Sequence, residues 1–380
     1  MIYLDNAATT KIDPEVLDAM MPYLTEEYGN PGGLYTLGRN AKDAVEAARE
    51  RVAAFINAEP TSVVFTSGGS EANNLAVKSF IGFEKHRTTI LTDKTEHDSV
   101  LKALCDAKEI EFVPVNHSGS VDISAFCDKI TEKTGFASIM YANNETGSVN
   151  PIVQIGEECR DKGIIFHTDC VQAAGNYDLN VSDFGCDFMS ISSHKIHGPK
   201  GVGALYVRNQ IFCRPLISGG STQEFGLRGG TENVAGIVGF GKACEIAKVN
   251  LKENASHIME IKSMFYNSLM SCMGEYKLLK IVHLNGNGIN TGKAINIRFD
   301  GIDAHTLILM LDLYGVCVSG GSACTSHDNL PSHVLLAMGI SPDDARNSIR
   351  ISFSRMNTAQ EVTDAARIIA ECVRNLNKYY

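Results

Sequence analysis

Phe65-Thr66-Ser67-Gly68-Gly69-Ser70-Glu71-Ala72 reads as the end of a strand, a glycine turn and the start of a helix. Outward from it, the same grammar recurs. Val63-Val64-Phe65 is the first of seven β-rich runs. The others are Thr89-Ile90-Leu91, Phe112-Val113-Pro114-Val115, Ser138-Ile139-Met140-Tyr141, Ile164-Ile165-Phe166, Phe188-Met189-Ser190-Ile191 and Gly203-Ala204-Leu205-Tyr206-Val207. Helical patterns over 71–84, 97–107 and 151–162 separate most of them. Upstream, Asp13-Pro14-Glu15 supplies an N-cap and a proline at the first helical position, opening a helix toward Tyr28. Ala41, Ala44, Val45, Ala48, Val52 and Phe55 predict an amphipathic helix over 38–57. This alternation predicts an α/β fold with a mainly parallel sheet flanked by helices. One long helix is expected over 231–255. Beyond about 256 the pattern changes to helices near 257–272, 303–314 and 358–376, with strands near 280–284, 293–299 and 348–353. The expected organisation is a large domain over 13–255, with 1–12 and 256–380 forming a smaller α+β domain.

Composition narrows the function classes. The 380 residues carry 34 Lys plus Arg against 44 Asp plus Glu, a formal charge of −10, which lacks the footprint of a general nucleic-acid binder. No run approaches the ~20 apolar residues that span a bilayer. Met1-Ile2-Tyr3-Leu4-Asp5 reads as a strand rather than a signal peptide, so a cytoplasmic address is expected. The 11 cysteines include no CxxC pair, which leaves no spacing for a metal site and predicts mostly free thiols packed as small hydrophobes.

In parallel sheets, ligands bind beyond the carboxyl ends of the strands, and the chemistry-bearing residues stand there. The Gly68-Gly69-Ser70 turn is either a phosphate cradle, built from close backbone N–H groups and a helix start, or an ordinary capped turn. Asp169, after Ile164-Ile165-Phe166, can hold a ring nitrogen protonated or simply cap a turn. Lys195, in Ser190-Ile191-Ser192-Ser193-His194-Lys195-Ile196-His197, is placed to lose its charge and act as an amine nucleophile; the alternative is a surface lysine. An anion cradle, an acid and a lysine at strand ends together suit pyridoxal phosphate. His97, after Thr89-Ile90-Leu91, can stack on a ring and shuttle protons, or cap a helix. Cys324 lies in the Gly- and Ser-rich Ser319-Gly320-Gly321-Ser322-Ala323-Cys324-Thr325-Ser326, a segment (about 318–331) expected to be a mobile loop. A thiol there suits a nucleophile that carries a product away. Cys317, between Val316 and Val318, reads as core. Arg350, in Ile349-Arg350-Ile351-Ser352-Phe353, can clamp a carboxylate or sit in a surface salt bridge.

These segments, in this order, resemble the cysteine desulfurases of the NifS/IscS kind, which are fold-type I, class V aminotransferase-like enzymes. The resemblance runs from Tyr3-Leu4-Asp5-Asn6-Ala7-Ala8-Thr9-Thr10 to Arg350 and is most specific in Ser193–Gly201 and Gly321–Ser326. It implies that Lys195 holds pyridoxal 5'-phosphate as a Schiff base, Asp169 pairs with the pyridine nitrogen, Gln172 bonds the phenolic oxygen and His97 stacks on the ring. It assigns the phosphate to Gly69, Ser70, Ser192 and His194, with Thr231 reaching across from the neighbouring subunit of a homodimer. Asn144 and Arg350 are implied to bind the carboxylate of L-cysteine, and Cys324 to take its sulfur as a persulfide, releasing L-alanine, for transfer to an acceptor protein. Lys195, Cys324 and His97 are the catalytic set of this resemblance. It departs at Tyr35, where the family usually has histidine, and at Cys170 beside Asp169. Alternative activities on the same fold are a selenocysteine lyase or an aminotransferase; a sulfur-carrier docking protein without catalysis is the non-enzymatic alternative.

Overall fold

Asp13 accepts a hydrogen bond from the Glu15 N–H at 2.8 Å, and Pro14 occupies the first turn, where a missing N–H leaves nothing unsatisfied. The computed structural model in which this is seen describes residues 1–83, 86–210, 213–286, 292–321 and 330–377. A short β1 (Ile2–Tyr3) precedes the capped helix α1 (Pro14–Thr25), which stops short of the expected Tyr28. Helix α2 (Thr36–Phe55) buries Ala41, Val45, Ala48, Val52 and Phe55, the stripe seen in the sequence.

The alternating region follows as β2 (Val63–Thr66), α3 (Gly69–Phe83), β3 (Thr89–Asp93), α4 (Asp98–Leu101), β4 (Glu109–Val113), α5 (Ile123–Asp128) and β5 (Thr134–Ser138). It continues with α6 (Ile152–Asp161), β6 (Ile165–Asp169), α7 (Val181–Phe184), β7 (Phe188–Ser192) and β8 (Gly203–Val207). Strands β2 to β8 form one seven-stranded sheet in the order β2-β8-β7-β6-β5-β3-β4. The pairs β3–β4, β3–β5, β5–β6 and β6–β7 are parallel, and only β8 runs against its neighbours β2 and β7. The mainly parallel sheet read from the sequence is therefore present. Two strands are shifted. Strand β4 ends at Val113, before Pro114, which has no N–H for the ladder. Strand β5 ends at Ser138; Ile139 and Tyr141 beyond it still bond to His167 O and Asp169 O, at 3.2 and 2.9 Å, but outside regular strand geometry.

The helix expected over 231–255 is two. Asn233 caps α8 (Val234–Val249) through the Gly236 N–H, and the chain breaks at Asn250, whose side-chain amide donates back to Ile246 O. Helix α9 (Leu251–Glu275) then absorbs the separate helix expected near 257–272. The remaining elements are β9 (Val282–Asn285), β10 (Ala294–Phe299), α10 (Ala304–Leu313), β11 (Val316–Cys317), α11 (His333–Ala337), α12 (Pro342–Arg346), β12 (Ser348–Ser352) and α13 (Ala359–Asn377). A three-stranded antiparallel sheet, β12-β10-β9, packs with α9 and α13 around Phe265, Phe299, Phe353 and Ile369. That core is distinct from the one between the large sheet, α2 and α8, which holds Val45, Phe65, Phe166 and Phe240. Each fully buried Phe or Leu of this kind stabilises by roughly 1.5–3 kcal/mol. Among the described residues no helix is long and apolar enough to cross a membrane.

The first ten residues join the two parts. Strand β1 pairs in parallel with β11, and Leu4 sits in the smaller core. Asn6 and Ala7 then bond to Ser352, and Thr10 N–H reaches His194 O at 2.9 Å.

A second tie holds the segment after β8. The buried Arg49 of α2 grips Glu224 with two 2.8 Å bonds, and Glu224 also accepts the Phe65 N–H at 2.7 Å. Glu224 and Phe225 adopt left-handed backbone at φ 43° and 58°, a conformation that non-glycine residues keep only where contacts hold it.

Candidate active site

The parallel strands β3, β6 and β7 end at the same rim, and each brings one sequence-predicted residue there: His97 after β3, Asp169 as the last residue of β6 and Lys195 after β7. They line a cavity of about 810 Å³, counted to its open mouth, within the range that holds a cofactor-sized molecule. Gly69, Ser70, Gln172, Ser192, His194, Asn144 and Arg350 line it too. Ten predicted residues thus converge. Thr231 does not join them; it is exposed, beyond the segment latched by Arg49. Tyr35 is also exposed, at the N-terminal edge of α2. Cys324 lies outside the described residues.

At one side of the cavity is the helix start of α3. Its first-turn N–H groups have no partner within the helix, and the helix dipole favours an anion there. Gly69 is required by close approach, since a Cβ would lie 2.7 Å from Val171 Cγ2. The buried Ser192 hydroxyl stands beside this turn, with its Cβ 3.6 Å from where a Gly69 Cβ would lie, and has no hydrogen-bond partner among the described residues. His194 Nδ1 lies 3.1 Å from Thr9 Oγ1, and burial, aided by the charges of Lys195, Lys293 and Lys200, pulls the ring down to about 3.

Asp169 accepts the Val171 N–H at 2.9 Å and the Asn73 amide at 2.7 Å. Asn73 also donates to Ser99 Oγ at 2.9 Å, and Ser99 Oγ stands 2.7 Å from His97 Nδ1. Asn73 and Ser99 therefore link the acid to the histidine. Because His97 Nδ1 accepts the Ser99 N–H at 3.1 Å, the neutral ring carries its proton on Nε2. Burial lowers the His97 pKa, against the opposing pull of Asp169. Below Asp169, the fully buried His167 is held between Ser138 and Ser190, and burial takes it to about 3.

Lys195 Nζ donates to Ala7 O and Ala8 O, at 2.5 and 2.7 Å. Gln172 Nε2 donates to the same Ala7 carbonyl at 2.9 Å, and its buried Oε1 has no partner among the described residues. Arg350 is no surface residue: it is 1% exposed, with Nη2 2.7 Å from Asp5 Oδ1 and Nη1 donating to Asn144 O at 3.2 Å. Asn143, beside it, shapes this turn by accepting the Glu145 and Thr146 N–H groups.

Sequence reasoning missed Asn73, Asp5, Glu96 and Lys293. Asn73 had a readable signal, its i+3 spacing from Ser70 on α3. Glu96 had none; its carboxylate is buried under the site, accepts the Met140 N–H at 2.5 Å, and is pushed well above the ordinary range by burial and by the charges of Asp93 and Asp169. The arrangement can hold an anion at the helix start, a protonated heterocyclic nitrogen at Asp169, a flat ring at His97 and a carboxylate at Arg350, with a lysine amine in reach.

Comparison with known proteins agrees. The aminotransferase class-V family model matches residues 2–364. The cysteine desulfurase of Trichormus azollae is 41% identical over 384 residues, covering 99% of this chain and 94% of its own length. A solved NifS-like protein superposes over 100% of both chains with a TM-score of 0.89 at 34% identity. A structure of SspA in complex with cysteine covers 94% of this chain and 100% of its own, with a TM-score of 0.78 at 32% identity.

Proposed function

The chain belongs to the aminotransferase class-V family, and from that premise we propose that it is a pyridoxal-phosphate-dependent cysteine desulfurase, which converts L-cysteine to L-alanine and keeps the sulfur as a persulfide on Cys324. The observation that carries this reading is the meeting of Lys195, Asp169, His97 and the α3 helix start in one cavity with Arg350 and Asn144. Its unpartnered buried atoms fit the cofactor's polar groups: Ser192 Oγ with the α3 N–H groups, Ser70 and His194 for phosphate, and Gln172 Oε1 for the ring hydroxyl. When bound, pyridoxal phosphate supplies an electron sink for the carbon beside the substrate amine.

The remaining work falls to the chain. Lys195 anchors the cofactor, then takes and returns a proton at the substrate Cα. Arg350 and Asn144 orient the substrate carboxylate. Cys324 Sγ, as thiolate, attacks the substrate sulfur; the S–S bond forms as the C–S bond breaks, and the carbon fragment gains a proton to leave as alanine. Ser319 is bridged to Arg350 by backbone bonds of 2.6 and 3.2 Å. Cys324 is five residues further on, a reach of at most about 18 Å. In this reading 13–255 is the cofactor-binding domain, and the smaller domain, 1–12 and 256–380, carries Cys324; the separation of the core around Val45 and Phe240 from that around Phe265 and Phe353 supports the division. A homodimer, in which the exposed Thr231 serves the partner's phosphate site, and a sulfur-acceptor protein complete the proposal. The ten described cysteines are all free thiols, which supports a reducing, cytoplasmic setting.

The test is to incubate cofactor-loaded protein with L-cysteine and a thiol reductant. Alanine and sulfide are expected in equal amounts, and Cys324→Ala should keep the cofactor's visible absorbance while losing persulfide. Failure of the loaded wild type to form alanine overturns the reading.

A further inference from the structure

A second cavity shares Lys195 with the first and is lined also by Thr10, Asn176, His197, Lys293 and Arg355. Lys293 stands just before β10, its carbonyl accepting the Phe353 N–H at 2.9 Å, and only 5% of it is exposed. Its Nζ makes a 3.2 Å bond to the main-chain carbonyl of Lys195. A buried ammonium ordinarily sits against a carboxylate. No ion pair involving Lys293 occurs among the described residues. Its charged neighbours are Lys195 and Arg350, while His194 and His197 face it and Arg355 closes the cavity. Two neighbouring carboxylates are already engaged, Asp5 by Arg350 and Asp13 by Arg355.

Lys195 Nζ is held by two carbonyl oxygens and faces Asp169 across the first cavity, and all three favour its charged form. A group that must accept a proton needs a counterweight. We propose that Lys293 is a positioning residue for Lys195: it fixes a second amine against the Lys195 main chain, and its charge favours the uncharged, proton-accepting form of the Lys195 amine. The inference rests on the reading of Lys195 as the cofactor-bearing lysine. Like charges in a buried site disfavour each other, and the effect is mutual. In keeping with this, burial together with the charges of Lys195 and Arg350 brings Lys293 down to about 7.

The experiment is a pH titration of the visible absorbance of the cofactor–Lys195 linkage in the holoenzyme, which reads protonation rather than turnover. Lys293→Met should move the midpoint upward by on the order of one pH unit. Lys293→Arg, which keeps the charge, should leave the midpoint near the wild-type value or below it. A purely structural role lowers cofactor occupancy or Tm but does not move the midpoint. If Lys293→Met takes up no cofactor, Lys293→Gln is titrated in its place. An unchanged or lowered midpoint in the uncharged variant overturns the inference. A wild-type-like band that survives in Lys195→Ala instead overturns the underlying assignment of Lys195, so the two failures are distinguishable.

Discussion

Arg350 already grips a carboxylate, that of Asp5, and does so from a buried position with its planar head fixed between Asp5 and the Asn144 carbonyl. A guanidinium so presented offers two parallel N–H donors to a substrate carboxylate, which an ammonium does not. Arg350→Lys is therefore expected to raise KM for L-cysteine by about 10- to 100-fold, the loss of one charge-assisted hydrogen bond, with a smaller change in kcat. Steady-state kinetics check it; an unchanged KM would remove Arg350 from substrate binding. At this scale the sequence was informative for a physical reason. Lys195, Asp169 and His97 each follow a strand of an alternating pattern, so their common rim is implied before any coordinate is known. Asp5 carries no such mark, Asn73 carries only its spacing from Ser70 on α3, and Lys293 carries none. Their importance comes from contacts with Arg350, Asp169 and Lys195, across 345, 96 and 98 residues, and no local pattern encodes such pairings.

The turn from β2 into α3 is the element on which the proposed anion site depends. Its backbone is crowded: a Cβ on Gly69 meets Val171, and one on Gly203 in the neighbouring β8 would lie 2.8 Å from Gly68 Cα. Gly69→Ala must tilt the first turn of α3 away from Val171. About tenfold weaker retention of pyridoxal phosphate is expected, the cost of one misaligned hydrogen bond, with far-ultraviolet circular dichroism nearly unchanged. Equilibrium dialysis measures it, and undiminished retention would show that the turn does not hold the phosphate. Elements with their own punctuation were legible, as Asp13-Pro14 shows for α1. The break at Asn250 was not. Helical periodicity continues through it, and the residue ends α8 by turning its own amide onto Ile246, a choice made by packing rather than by a glycine or proline.

On the scale of the whole molecule, histidines buried without charge couple the fold to pH. His167 is held at about 3 and His197 at about 4, both by burial, against an ordinary value of 6.5. The unfolded chain takes up protons at these positions from 6.5 downward, whereas the folded chain does not until it reaches the lower values. Their contribution is therefore fully present above 6.5 and is lost as pH falls toward 4 and then 3. Buried Glu96 and Asp93, raised by burial, act in the opposite direction over part of that window, so the clean measure is a difference. Relative to His167→Gln, the wild type should lose roughly 2–3 kcal/mol of unfolding free energy between about pH 6.5 and 4.5. Urea titrations of the cofactor-free protein at both pH values test this, and parallel pH dependences would refute it. The α/β class and the seven-stranded sheet were readable because parallel strands and their crossover helices are local repeats. The way the first ten residues close over the site was not, since it pairs the start of the chain with residues beyond 316.

That closure also has a history in time. Residues 1–10 are made well before the partners that hold them, Cys317, Arg350 and Ser352, which follow hundreds of residues later. The seven-stranded sheet can assemble while synthesis continues, but the carbonyls of Ala7 and Ala8 cannot be secured over Lys195 until Ser352 has been made. Between the synthesis of Lys195 and that of Ser352 the lysine therefore stands without this cover, and the site is closed over it only once both ends of the pairing exist.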